Sequence, residues 1–478
     1  MRLAAPTAVA VFFGTLLLTF GTAVYARIRS REQGAEEELA GRTLNRWLIG
    51  LSAGTTGNSG FIVTGAVGLG YAGGVHWLLL PLSWLLGDLA FWTVFPDKLN
   101  QLARKAQAAT LSEILTFELE GPTAKLITVT VALLLAVFLT AYTAAQWLAG
   151  EKFLSGVFNL SKTAALLTFG STIVLYSSIG GFRGSVYVDT LQAFIRIGGT
   201  LIAICAVGWF AASDSPTFLQ NIAAAGPGFL NPFPSGGLAT TIGFIGGYAC
   251  AAIGFGLGQP QIVSRYMAGS SPEETKAARW IYIGFLQFTW LAMTTFGILL
   301  RGVMPGVADP ETGLSVFFQR DINAIATGVI FADVFATIAS TSNGLLVAIA
   351  QTLRRDLLGS VLGARTFSFA AMTVMTLAIG VATIALSFVL PGNVFTIAIG
   401  AVSKIGAGLA GPVMIKVFGW RHSSLSLLLA ILSGISVAAV WGARGHGSLF
   451  NEAGIGIVTS LMINFLIIRM RPSTVVVR

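Results

Sequence analysis

TIGFIGGYACAAIGFGLGQPQ, residues 241–261, is an apolar run long enough to cross a bilayer, yet it carries six glycines and ends at a proline. Glycine weakens a helix interior by about 1 kcal/mol relative to alanine, and proline removes a backbone donor. The run therefore reads as a transmembrane helix that unwinds. A second such run, LSAGTTGNSGFIVTGAVGLG, covers residues 51–70, with Gly54, Gly57 and Gly60 near its middle. Unwound backbone presents carbonyl oxygens to a cation, and a pair of interrupted helices in corresponding positions marks carriers built from inverted repeats. Glycine that serves only close helix packing is the competing reading.

The composition fits a membrane setting. The 478 residues are 54% hydrophobic and 10% charged, with a mean hydropathy of +0.79, against about 25% charged in soluble domains. Thirteen spans fit the apolar runs: 4–26, 47–70, 74–96, 124–149, 161–180, 184–212, 236–258, 279–300, 324–350, 366–390, 393–417, 423–442 and 451–468. The N-terminal run is read as a retained span because it is long and the basic stretch RIRSR follows it. With the N-terminus outside, 21 of the 29 Lys and Arg fall in cytoplasmic segments, as the positive-inside rule requires. The expected localisation is the cell (inner) membrane, multi-pass, with the C-terminus cytoplasmic.

The net charge of +9 thus belongs to membrane topology and does not point to nucleic acid. Cys205 and Cys250 both lie in apolar runs, and the three histidines show no metal-ligand spacing. No nucleotide-binding loop is present, and no convergent acid, base or metal set suggests an enzyme. No cofactor is expected; the partners are a small solute, a coupling ion and lipid.

Four stretches, in order, carry a resemblance. GLGQPQIVSRYMAGSSPEETKAAR (256–279) looks like the signature of the sodium:solute symporter family, nearest its proline and pantothenate branch. GGFRGSVYVDTLQAF (180–194), LAGPVMIKVFGWR (409–421) and ATIASTSNGLLVAIAQTLRRDL (336–357) resemble its fifth, tenth and eighth core helices. The resemblance implies an all-α polytopic LeuT-type fold with a five-plus-five inverted repeat and about thirteen helices. The chain would then divide into an extra N-terminal helix and loop (1–46), a first repeat (47–212), a second repeat (236–417) and two C-terminal helices (423–468). It also implies sodium-coupled uptake of a small organic solute by alternating access.

Carried over residue by residue, the resemblance implies sodium ligands at the backbone carbonyls of Thr55, Asn58 and Thr337 and at the hydroxyls of Ser340 and Thr341. Residues 337, 340 and 341 share one helical face, and a hard cation takes oxygen ligands. The set holds five oxygens and no carboxylate. The competing reading has these hydroxyls bonding back to the preceding helical turn. Ionisable residues inside spans are functional candidates. Asp189 is read as a second ion ligand, a gate to the cytoplasmic exit, or the partner of Arg196. Asp333 is read as attracting cations, and Asp88 and Lys404 as a mutual pair. Asn343 and Gly344 stand where further hydroxyls of a second sodium site would lie.

The solute pocket is expected at Ser59, Phe61, Trp77, Gln146, Phe255 and Lys404. Where proline-type members carry an aspartate, this chain has Gly57, so the solute class is set more broadly, as an amino acid or a carboxylate-bearing metabolite. A proton-coupled or uncoupled carrier on the same fold, or a transporter-like membrane sensor, remains the alternative.

Overall fold

The computed structural model describes residues 5–32, 38–320, 322–359, 363, 369–390 and 394–471. Among them, every extended element is a helix. The chain opens with α1 (Pro6–Glu32). The first interrupted helix follows as α2 (Arg46–Gly57), α3 (Gly60–Val63) and α4 (Gly65–Gly73). Next come α5 (Leu79–Val94), the short α6 (Pro96–Lys105) and α7 (Leu111–Thr116), then the long α8 (Pro122–Phe158) and α9 (Lys162–Ser213).

After α10 (Ser215–Ala224), the second interrupted helix is α11 (Gly237–Gly258) with α12 (Pro260–Met267). The chain continues through α13 (Pro272–Ala277), α14 (Arg279–Val303), α15 (Gly313–Phe318) and α16 (Ala324–Thr352). It closes with α17 (Phe369–Ser387), α18 (Val394–Val417), α19 (Ser424–Ala443) and α20 (Glu452–Met470).

Ten of the described helices are long and apolar enough to cross a membrane unaided. The other expected spans are the interrupted helix over 46–73, the first limb of α9, and α17. The expected starts at 366 and 393 lie outside the described residues. Helix α9 bends at Gly181, whose φ of 58° and ψ of −163° suit only a residue without a side chain.

Both glycine-rich runs break as expected, at the residues between their glycines or beside them rather than on them. Helix α2 stays regular through Gly54 and Gly57 and breaks at Asn58 and Ser59; α11 stays regular through Gly258 and breaks at Gln259. Several of those glycines serve close packing instead. Gly254 and Gly406 bring α11 and α18 so near that a Cβ on Gly406 would lie 3.0 Å from the Cα of Gly254. Proline supplies the second break: Pro260 has no N–H, so the helix starts anew there as α12.

The two interrupted helices meet at one end of the bundle. Leu44 donates to the carbonyl of Ala268 (3.1 Å), and Ser270 to that of Leu44 (2.8 Å). Around this centre, α2 packs on α9, α14 and α16, and α11 packs on α5, α18 and α20. Helix α1 lies outside, against α9 and α16.

Candidate functional site

The break in the first helix frees backbone oxygens. In an unbroken helix, the N–H groups of Ser59 and Gly60 would bond Thr55 and Thr56. Here Ser59 donates to Gly57 (3.0 Å) and Gly60 to the side-chain Oε1 of Gln146 (2.9 Å). Ile62, which would reach Asn58, donates to Ser59 (2.8 Å). The carbonyl of Thr56 receives a donor from elsewhere: the hydroxyl of Thr341 on α16, at 2.9 Å.

Two of the four polar residues at 340–343 leave their own helix. Thr341 reaches Thr56, and Ser340 donates to Oδ1 of Asp189 (2.6 Å). Their neighbour Ser342 turns back to the carbonyl of Ile338 (2.7 Å), and Thr55 to that of Leu51 (2.7 Å). The side chain of Thr337 donates to Asp333 (3.3 Å). Asn58 binds Thr289 through its side-chain amide. The expected ligands Thr55, Asn58, Thr337, Ser340 and Thr341 are all buried, but only Ser340 and Thr341 reach from α16 to other helices, Thr341 to α2. The carbonyl of Thr56, bonded by Thr341, was not among the expected residues.

A carboxylate lies next to the expected ligand set, which itself contains none. Asp189 adjoins it, and its Oδ2 accepts from Ser52 (2.7 Å), Thr56 (3.1 Å) and Arg265 (3.0 Å). Arg265 also donates to Ser185 (2.8 Å) and Ser52 (3.1 Å), and lies over the ring of Phe182, 5.2 Å from its centroid. This knot joins α2, α9, α12 and α16. Charge-assisted bonds of this kind are shorter and stronger than neutral ones, and they satisfy a carboxylate that is fully buried.

The pairings expected for the other intramembrane charges also change. Asp189 pairs with Arg265, not Arg196; Arg196 pairs with Asp333 at 2.8 Å, with both side chains inaccessible. Asp333 is thus already neutralised. Lys404 pairs with Glu452 (2.9 Å) rather than Asp88, and among the described residues Oδ2 of Asp88 has no hydrogen-bond partner. Arg265 falls between the expected spans 236–258 and 279–300 and so reads as a cytoplasmic loop residue from the sequence. Its position five residues after Pro260, inside a half-helix, was the available signal.

A cavity opens beside the first break, lined by Ser59, Phe61 and Phe255 as expected. Tyr142, Trp84, Trp290 and Phe395 complete most of its wall and were not foreseen. Its free volume is about 40 Å³, room for a few water molecules, so the walls must part to admit a solute. Gln146 does not line it; it holds the break through Gly60. Trp77 is displaced outward, its ring 6.2 Å from Phe395. Lys404 lies away on Glu452, and the lining contains no charged side chain.

Comparison with known proteins agrees with this architecture. The model of the sodium:solute symporter family matches residues 38–434. The high-affinity proline transporter PutP of Bacillus subtilis is 25% identical over 447 residues, 90% of this chain and 91% of its own length. The sodium/pantothenate symporter of Haemophilus influenzae is 25% identical over 351 residues, 72% of this chain and 70% of its own. Among solved structures, an outward-open Na+-coupled sialic acid symporter superposes with a TM-score of 0.79 at 16% identity, covering 99% of both chains. The nucleobase-cation symporter Mhp1 superposes with a TM-score of 0.53 at 15% identity, over 91% of this chain and 94% of its own. The fold is therefore the LeuT type, and the chain belongs to the sodium:solute symporter family.

Proposed function

We propose that this sodium-coupled symporter imports a small amino acid or carboxylate-bearing solute by alternating access, with sodium held at the junction of α2 and α16. The ion takes the carbonyls of Thr55, Thr56, Asn58 and Thr337 and the hydroxyls of Ser340 and Thr341. The contact of Thr341 with the freed carbonyl of Thr56 carries this reading. It brings a hydroxyl and an unladdered carbonyl together across two helices, and a hard cation bridges oxygens of that kind. Asp189 serves beside the site as a gate, tied to Arg265. The burial and pairing of Asp189 and Asp333 with arginines favour sodium over a proton carried by either group.

The solute sits beside Ser59, Phe61 and Phe255, against Trp84 and Trp290. Its carboxylate character is supported by the proline and pantothenate carriers among the relatives. Lys404 and Arg196 are engaged elsewhere and do not recognise it. The repeats run over 47–212 and 236–417, and the protein lies in the inner membrane with its C-terminus cytoplasmic.

The test is uptake into proteoliposomes of labelled proline, pantothenate and a panel of amino acids, under an inward sodium gradient and under an equal potassium gradient. The reading predicts accumulation of one class in sodium alone. Equal uptake in potassium, or uptake driven only by a proton gradient, contradicts it.

A further inference from the structure

A second concavity lies far from the solute pocket, where α18 and α20 end on the same side of the bundle. It encloses about 710 Å³, and its lining includes Trp420, Arg421, Leu461, Phe465, Ile468 and Arg469. The groove is firmly built. After α18 the chain turns at Gly419 (φ 61°), and the N–H of Trp420 returns to the carbonyl of Ile415 (3.0 Å). The indole stacks on Phe418, with centroids 5.0 Å apart. The carbonyl of Arg421 is held by the buried side chain of Asn464 (3.1 Å), whose Oδ1 accepts from Ser426 (2.7 Å).

Charge and polarity are arranged in layers. Among the described residues neither Arg421 nor Arg469 forms an ion pair, and both are exposed. The only acid in α18, α19 or α20 is Glu452, at the opposite end of α20 and bonded to Lys404. Beneath the guanidinium groups the wall is apolar, and it continues outward through Phe465 (61% exposed) and Leu466 (46% exposed). A tryptophan at the rim, two arginines at the level of helix ends, and an aliphatic wall below them match the order of a lipid leaflet.

We infer that this groove binds the headgroup of an anionic phospholipid. Arg421 and Arg469 take the phosphate oxygens, since guanidinium groups bind phosphate through paired hydrogen bonds, and an acyl chain lies along Leu461, Phe465 and Ile468. An inorganic anion leaves that wall uncovered. A zwitterionic headgroup brings its cation to a surface that is already positive.

The experiment uses the purified full-length protein, delipidated in neutral detergent. Native mass spectrometry and thermal stabilisation are read with phosphatidylglycerol, phosphatidylcholine of the same chains, or inorganic phosphate. Phosphatidylglycerol should be retained over phosphatidylcholine by at least about fivefold, as one surface arginine's contribution implies. The preference should vanish in Arg421→Gln/Arg469→Gln and persist in Arg444→Gln, an arginine elsewhere on the surface. Leu461→Trp, which narrows the apolar wall where the acyl chain would lie and keeps both charges, should weaken it. Equal retention of the two lipids, an undiminished preference in the double variant, or full reproduction of the stabilisation by inorganic phosphate overturns the proposal.

Discussion

The guanidinium of Arg265 lies 3.0 Å from the carboxylate of Asp189, with both side chains sealed from solvent. The pair joins the second interrupted helix, through α12, to α9, and through shared hydroxyls to α2 and α16.

Removing one partner leaves the other charged and buried. Arg265→Gln or Asp189→Asn should each lower stability by about 3–5 kcal/mol, and the double substitution by less than the sum. Denaturation of the purified variants in detergent checks this. Strict additivity would mean that the two groups do not interact.

Arg196 and Asp333 form a second sealed pair; among the described residues its carboxylate accepts from Arg196 and the Thr337 hydroxyl, not from Ser340 or Thr341. Asp333→Asn is expected to destabilise by a similar amount, about 3–5 kcal/mol, while the sodium concentration at half-maximal uptake moves less than threefold. Titration of uptake against sodium at fixed ionic strength separates this pair from the one at Asp189.

The break in the first helix depends on Gln146. Gln146→Leu leaves the N–H of Gly60 buried without an acceptor, at a cost of about 1–3 kcal/mol. Gln146→Glu keeps an acceptor oxygen but buries a carboxyl with no cation bonded to it, and should destabilise at least as much as Gln146→Leu. Thermal denaturation of the two variants side by side is the check.

The crossing of α11 and α18 is set by Gly254 and Gly406. Gly406→Ala places a methyl group 3.0 Å from the backbone of the facing helix, and overpacking of this kind costs about 1–3 kcal/mol. Gly14→Ala, in open surroundings within α1, should not lower the melting temperature and should raise it slightly, because alanine favours the helix.

Much of this architecture was legible in the sequence, because lipid forces each crossing to be an apolar helix and leaves few places for polarity. The cluster at 340–343 announced itself for that reason. The exact breaks were less visible: Gly57 and Gly258 weaken a helix, but neighbours that pack on them keep it wound, and the chain gives way at the next residue. Arg265 was hidden among loop arginines because topology counting takes no account of burial. Trp84, Trp290 and Phe395 were hidden because an aromatic residue in an apolar span looks the same whether it lines a pocket or fills a core. Lys404 misled for the opposite reason, since its partner Glu452 lies 48 residues away on a peripheral helix.

The most direct measurement is sodium-dependent thermal stabilisation of the purified protein, titrated with sodium chloride against potassium chloride at constant ionic strength. Saturable stabilisation by sodium is predicted, because a ligand bound to the native state raises its melting temperature. Thr341→Ala and Ser340→Ala should shift the half-saturating concentration upward by about tenfold, the effect of losing roughly 1.4 kcal/mol of ligand energy. Ser342→Ala, whose hydroxyl turns back on its own helix, should titrate like the unaltered protein. Equal stabilisation by potassium, or a Thr341→Ala variant that titrates unchanged, would contradict a sodium site at the junction of α2 and α16.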